Sequence, residues 1–133
     1  MILFFAVCGC ARIQEAAKVV WGSSTKALED RRASATAKTY ETFPGACFES
    51  ILAIAKEKKY TVFISDRKDN RIVIVGVPGS VETTEVGIFI TPLTLKESKI
   101  EIISLSPVAQ QTVSAVVFER LDKTYPEIKE IPL

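Results

Sequence analysis

Arg71-Ile72-Val73-Ile74-Val75-Gly76-Val77 is the stretch that decides the fold. It is β-branched at almost every position, and such side chains fit a pleated, half-buried surface. Both alternating sets, Ile72/Ile74 and Val73/Val75, are apolar, so the strand is central with both faces covered. Pro78-Gly79-Ser80 turns the chain after it. Asp69-Asn70 supplies turn chemistry before it, since both residue types tolerate φ > 0. The preceding run, Tyr60 to Asp66, reads as its hairpin partner, with Tyr60, Val62 and Ile64 on one face. Glu85 to Thr91 reads as the next strand, Val86, Ile88 and Ile90 alternating with Gly87 and Phe89. A loop, Thr91 to Ser98, contains Pro92, and Lys99 to Leu105 forms the last strand of the meander.

Two helices frame these strands. Upstream, Ala35 to Phe43 alternates loosely with Thr36, Thr39, Tyr40 and Thr42 and reads as a first strand, which Pro44-Gly45 ends. Phe48, Ile51, Leu52 and Ala55 recur at i, i+3, i+4, i+7, so residues 45–58 form an amphipathic helix. Downstream, Ser106-Pro107 is an N-cap followed by proline at the first helical position. The final helix runs from Pro107 to about Thr124. Ala109, Val113, Val116, Val117 and Leu121 form its apolar face, and Phe118 borders that face. The order β-α-β-β-β-β-α, with short links between successive strands, predicts an antiparallel sheet of four or five strands. Each helix has one apolar stripe, so both cover the same sheet face. The fold class is an α+β two-layer sandwich. The other face carries Val73, Val75, Phe89 and Ile103, too apolar to be simply solvated. A neck segment, a partner, a lipid or a second copy would cover it.

The chain has 133 residues, a length that fits one domain. Seventeen Lys plus Arg against sixteen Asp plus Glu leave a charge of +1, which speaks against a basic nucleic-acid surface. The sequence holds no histidine. That removes the commonest general base, the usual Ser and Cys triads and most zinc sites. The remaining acid-base candidates are Glu82, Glu85, Asp66, Lys68 and Tyr40, and nothing in the sequence sets two of them across a cleft. Glu82 and Glu85 lie three positions apart, yet the loop offers too few oxygen ligands for calcium. We therefore expect a protein that is not an enzyme and needs no metal or cofactor. The run Asp66 to Arg71 reads as a charged hairpin tip, solvated or partner-binding. Cys47, between Ala46 and Phe48, reads as a small buried hydrophobe.

The amino terminus suggests an address. Ile2 to Val7 is apolar but far short of the roughly 20 residues a membrane-spanning helix needs. Val7-Cys8-Gly9-Cys10 resembles a bacterial lipobox, aliphatic at −3 and small at −2 and −1 before the cysteine that takes the lipid. The resemblance implies that Cys10 is lipidated, that residues 1–9 are a shortened signal remnant, and that only Cys47 then remains as a free thiol. The competing reading is an apolar first element with two buried cysteines. Residues 10–35 read as a polar helical neck. Ile13, Ala16, Ala17, Val20 and Trp21 share a helix face, and Leu28 is nearly alone in the next turn. That second piece is either solvated or lies on the sheet through Leu28 and the alanines. Arg31 and Arg32 stand near the anchor for anionic headgroups, with Glu29 and Asp30 offsetting them. Residues 36–125 form the domain and 126–133 a tail.

The layout of a lipobox-like Cys10, a polar neck, Thr39-Tyr40-Glu41-Thr42-Phe43-Pro44 leading into Phe48-Glu49-Ser50-Ile51-Leu52, a four-strand meander and the terminal helix Val113 to Leu121 resembles small bacterial lipoproteins of uncharacterised domain families. It is also similar in element order to the helix-grip modules of the lipoprotein C subunit of the outer-membrane barrel-assembly machinery. That resemblance implies a lipid-anchored cell-envelope protein, the membrane held through Cys10, with a protein partner and no nucleic acid. Ala11 after that cysteine resembles the neutral residue of outer-membrane lipoproteins, which implies the outer membrane facing the periplasm if the organism has two membranes. The resemblance supplies no functional residue. Two functions follow as expectations: a non-enzymatic interaction or structural module, or a small apolar-ligand carrier using Val73, Val75, Phe89, Ile103 and Phe118.

Overall fold

The computed structural model describes residues 27–129 except 29 and 82. The signal remnant at 1–9, most of the neck with Cys10 and Trp21, and the end of the tail lie outside the described residues. The described chain runs β1 (Thr36–Tyr40), α1 (Pro44–Glu57), β2 (Thr61–Asp66), β3 (Arg71–Val75), β4 (Val86–Thr94), β5 (Glu97–Ser104), α2 (Pro107–Thr124) and β6 (Glu127–Ile128). The strands form one antiparallel sheet in the order β2-β3-β4-β5-β1-β6. Both helices pack on one face, so the molecule is an α+β two-layer sandwich.

Register explains the core. Ile72 pairs with Ile88 and Ile88 with Ile102; Ile90 pairs with Ile100. These residues point at the helices and are buried with Phe48, Ile51 and Ile54 of α1 and Val113, Val117 and Leu121 of α2. Asn70 takes φ 51° at the β2–β3 turn, the left-handed conformation its short polar side chain tolerates. Ser106 caps α2 by accepting the Ala109 N–H at 3.2 Å.

Three local readings are corrected. Tyr60, Val62 and Ile64 do not share one face. A bulge between Val62 and Ile64 sets Val62 opposite Ile74 but Ile64 opposite Val73, so the alternation reverses at Phe63. The stretch 91–98 is not a loop. β4 and β5 stay paired to Thr94 and Glu97 and turn through Leu95-Lys96. Pro92 is accommodated because β3 pairs with β4 no further than Phe89, which leaves Pro92 on an edge, beside a register shift. The tail contributes a strand: Glu127–Ile128 pairs with Tyr40 and Thr39 and makes the sheet six-stranded. Its pairing starts with the Glu41 N–H donating to Pro126 O at 2.9 Å, a contact that asks nothing of the proline nitrogen.

Candidate functional site

Two features stand apart from the core: a strap across the second sheet face and a groove beside β1. The strap begins at Ala27 and Leu28, which are helical, and closes with a 3-10 turn, Arg32–Ser34, before entering β1. Leu28 is 1% exposed and packs with Phe89 and Ile103. Gly87 makes the room. A Cβ at position 87 would stand 3.2 Å from Leu28 Cδ1 and 3.1 Å from the Phe89 ring. Arg32 fastens the other end. Its guanidinium lies over the Phe89 ring, 4.7 Å from the centroid, and donates to Glu101 at 2.6 Å and Thr91 at 3.3 Å. Of the possible covers for this face, the protein's own segment takes the position over Phe89 and Ile103. Arg32 is thereby turned onto the sheet.

The five residues proposed for a ligand or partner face are divided by the sheet. Val73, Phe89 and Ile103 are buried on the strap side, Val75 is half-buried at the end of β3, and Phe118 is buried on the helix side against Tyr40. Phe89 and Ile103 meet around Leu28, whereas Phe118 belongs to the other layer.

The groove was not legible in the apolar pattern. It has a volume of about 900 Å³ and runs between α2 and the start of β1. One stripe of α2, Gln110, Ser114, Phe118 and Asp122, forms its wall at the four-residue spacing that aligns side chains on a helix. Thr36 and Lys38 form the facing wall. Gln110 closes the upper end, donating from Nε2 to Ser34 O and Thr36 Oγ1, both at 3.1 Å, and accepting the Ser104 N–H at 3.1 Å. The lower end is ionic. Lys38 Nζ lies 2.9 Å from Asp122 Oδ2 and 3.3 Å from Glu127 Oε1, and the Tyr40 hydroxyl donates to Asp122 Oδ1 at 2.7 Å. Between these ends Ser114, 6% exposed, holds its hydroxyl oxygen buried with no hydrogen-bond partner. The signal that would have found the stripe is polar residues at i, i+4 and i+12 around one phenylalanine. An apolar-face count passes over them.

The electrostatics follow from this packing. Burial, then the Asp122 carboxylate, pushes the Tyr40 phenol well above its ordinary value. Burial alone would raise Asp122, but the Tyr40 hydroxyl and the Lys38 ammonium outweigh it and hold the carboxyl below the usual range. The hydrogen bond to Asp122 raises Lys38, against some desolvation. The cluster is thus locked as neutral phenol, carboxylate and ammonium, a structural tie between β1, α2 and β6. Cys47 is buried, which pushes its thiol up to about 11, with Ser98 drawing it partly back. A thiol so placed is a poor nucleophile at neutral pH.

The acid-base candidates do not converge. Asp66 and Lys68 sit at the β2–β3 hairpin on one side of the sheet, with β3, β4 and β5 between them and Tyr40 on β1. Asp66 is occupied in the turn, accepting the Lys68 and Asp69 N–H groups and lying 3.7 Å from Arg71. Glu85 precedes β4 and accepts the Ser104 hydroxyl through its carbonyl at 2.7 Å; Glu82 lies outside the described residues. Among the described residues no cluster of three acidic or thiol ligands is placed to hold a metal, and no helix is long and apolar enough to cross a membrane. Compared with protein-family models and with curated proteins, the chain matches none.

Proposed function

We propose that this protein is a lipid-anchored, non-enzymatic interaction module of a bacterial cell envelope, tethered through Cys10. The observation that carries the reading is the seat of Leu28 and Arg32 on Phe89. The end of the neck is fastened to the second sheet face by packing, a cation–π contact and an ion pair. A tether arriving at residue 27 therefore ends on the rigid sheet, while the groove between α2 and β1 is left open to a partner. A carrier of apolar ligands finds less support, because Tyr40, Ile100, Ile102, Val113 and Leu121 fill the space between sheet and α2. Two acyl chains give a stable anchor where one gives only marginal binding. The test is fractionation of cells expressing the chain with its native upstream coding region. Wild type sediments with membranes and Cys10→Ser moves to the soluble fraction. Equal distribution of the two proteins overturns the reading.

A further inference from the structure

Gln110 joins the strap to α2. Its Nε2 donates to Ser34 O, in the last residue of the strap's 3-10 turn, and to Thr36 Oγ1 at the start of β1, both at 3.1 Å. Its Oε1 accepts the Ser104 N–H at 3.1 Å. On the main chain a carbonyl only accepts and an N–H only donates, so the Gln110 amide has one orientation that serves both Ser34 and Ser104. Ser104 in turn holds the corner into α2. Its Oγ donates to Glu85 O at 2.7 Å and accepts the Ser106 N–H at 3.2 Å, and Ser106 caps the helix. The 3-10 turn itself buries no residue, and Ala35 just after it packs with Leu28, Phe89 and Ile103. A continuous run of contacts therefore leads from Leu28 on the second sheet face, through Ser34 and Gln110, to the first turn of α2 on the other face. The strap also lines the groove, through Arg31 and Ser34, alongside Gln110 and Ser114 of α2.

We propose that Gln110 is a latch through which the strap sets the upper end of the groove. With Leu28 seated, the amide bridges Ser34 and Ser104 and holds that end closed. When Leu28 leaves its seat on Phe89 and Ile103, the Ser34 carbonyl moves off with the turn. Gln110 then loses its acceptors on the strap side, and the Ser104 amide loses a fixed partner. The strap and this end of the groove open as one local unit, at a free energy below that of global unfolding. Such coupling is reciprocal: pulling on the strap loosens the groove, and whatever fixes Gln110 tightens the strap. The coupling belongs to the chain alone and needs no occupant in the groove. Its regulatory meaning rests on the anchored interaction-module reading, in which the strap is where the tether meets the sheet.

The test is backbone amide exchange of the full chain carrying Cys10→Ser, with Gln110→Glu as the deciding variant. Glutamate keeps the length and an acceptor for Ser104 but has no N–H for Ser34 or Thr36. The Ser34 and Ala35 amides donate to Arg31 O and Arg32 O within the turn. In Gln110→Glu they exchange about fivefold faster, the scale of one lost hydrogen bond. In the other direction Leu28→Ala, which unseats the strap, speeds the Ser104 amide by at least about fivefold. In the Gln110→Glu background the same substitution changes Ser104 less than about twofold, because the link is already cut. Gly87→Ala, which lifts the strap from beneath, repeats the pattern and serves where Leu28→Ala does not fold. Unchanged Ser34 and Ala35 amides in Gln110→Glu overturn the latch. So does a Ser104 response to Leu28→Ala that persists in the Gln110→Glu background, which routes the coupling through Ile103 instead. These measurements need no lipid, so failure of the latch leaves the anchor reading standing, and failure of the membrane fractionation leaves the coupling measurable.

Discussion

Leu28 fills the space that a side chain at Gly87 would need, its Cδ1 only 3.2 Å from where that Cβ would stand. The absence of a side chain on β4 is therefore what lets the strap lie flat against Phe89 and Ile103. Glycine weakens a strand, so its presence at the second position of Val86–Thr94 marks a close approach.

The two positions should be coupled. Gly87→Ala overpacks the strap and costs about 1–3 kcal/mol. Leu28→Ala removes a buried leucine and costs about 2–4 kcal/mol. In the double variant the added Cβ occupies part of the vacated space, so the combined loss falls short of the sum by at least about 0.5 kcal/mol. Denaturant titration of the four proteins reads this; strict additivity would contradict the packing described.

Arg32 ties the strap by charge as well as stacking. Arg32→Lys keeps the charge but loses the planar contact with Phe89 and the fork toward Glu101 and Thr91. The variant is expected to lose about 1 kcal/mol, with faster amide exchange confined to the Arg32–Ser34 turn and the start of β1. Global loss of protection would argue instead that the strap is integral to the whole core.

Stability falls at both pH extremes through the β1–α2 tie. Tyr40 and Lys38 have raised values in the folded state, so their contribution is complete below their unfolded values, about 10 and 10.4, and is lost as pH rises above them. Asp122 is depressed, so its contribution is complete above about pH 4 and is lost as pH falls through its folded value. Thermal midpoints measured across pH should show Tyr40→Phe with a shallower alkaline decline than wild type and Asp122→Asn with a shallower acid decline. Unchanged slopes would remove these groups from the linkage.

Ser114 carries an opposite expectation. A buried hydroxyl without a partner costs stability, so Ser114→Ala should be neutral or stabilise by about 1–2 kcal/mol. Destabilisation by a similar amount would show that the hydroxyl is bonded in the free protein.

Much of the fold was legible because the strands repeat every second residue and turn at Asn70, Pro78 and Gly79. What misled the pattern has local causes. A single extra residue at Phe63 reverses the faces of β2. Pro92 reads as loop unless one knows that β3 stops short of it. Glu127–Ile128 is too short for any periodicity, and its strand state comes from the open edge it meets. At the candidate site, the apolar second face was visible in Val73, Phe89 and Ile103, and Leu28 was among its possible covers. The groove was not, because its wall is a polar stripe of α2 whose importance depends on Thr36 and Lys38 facing it across the fold.

The anchor is the central claim, and mass spectrometry of the amino-terminal peptide from membranes tests it most directly. The account predicts that the peptide of the protein expressed with its native upstream region begins at Cys10 and carries a diacylglyceryl group. A peptide that retains the unmodified residues before Cys10 would contradict it.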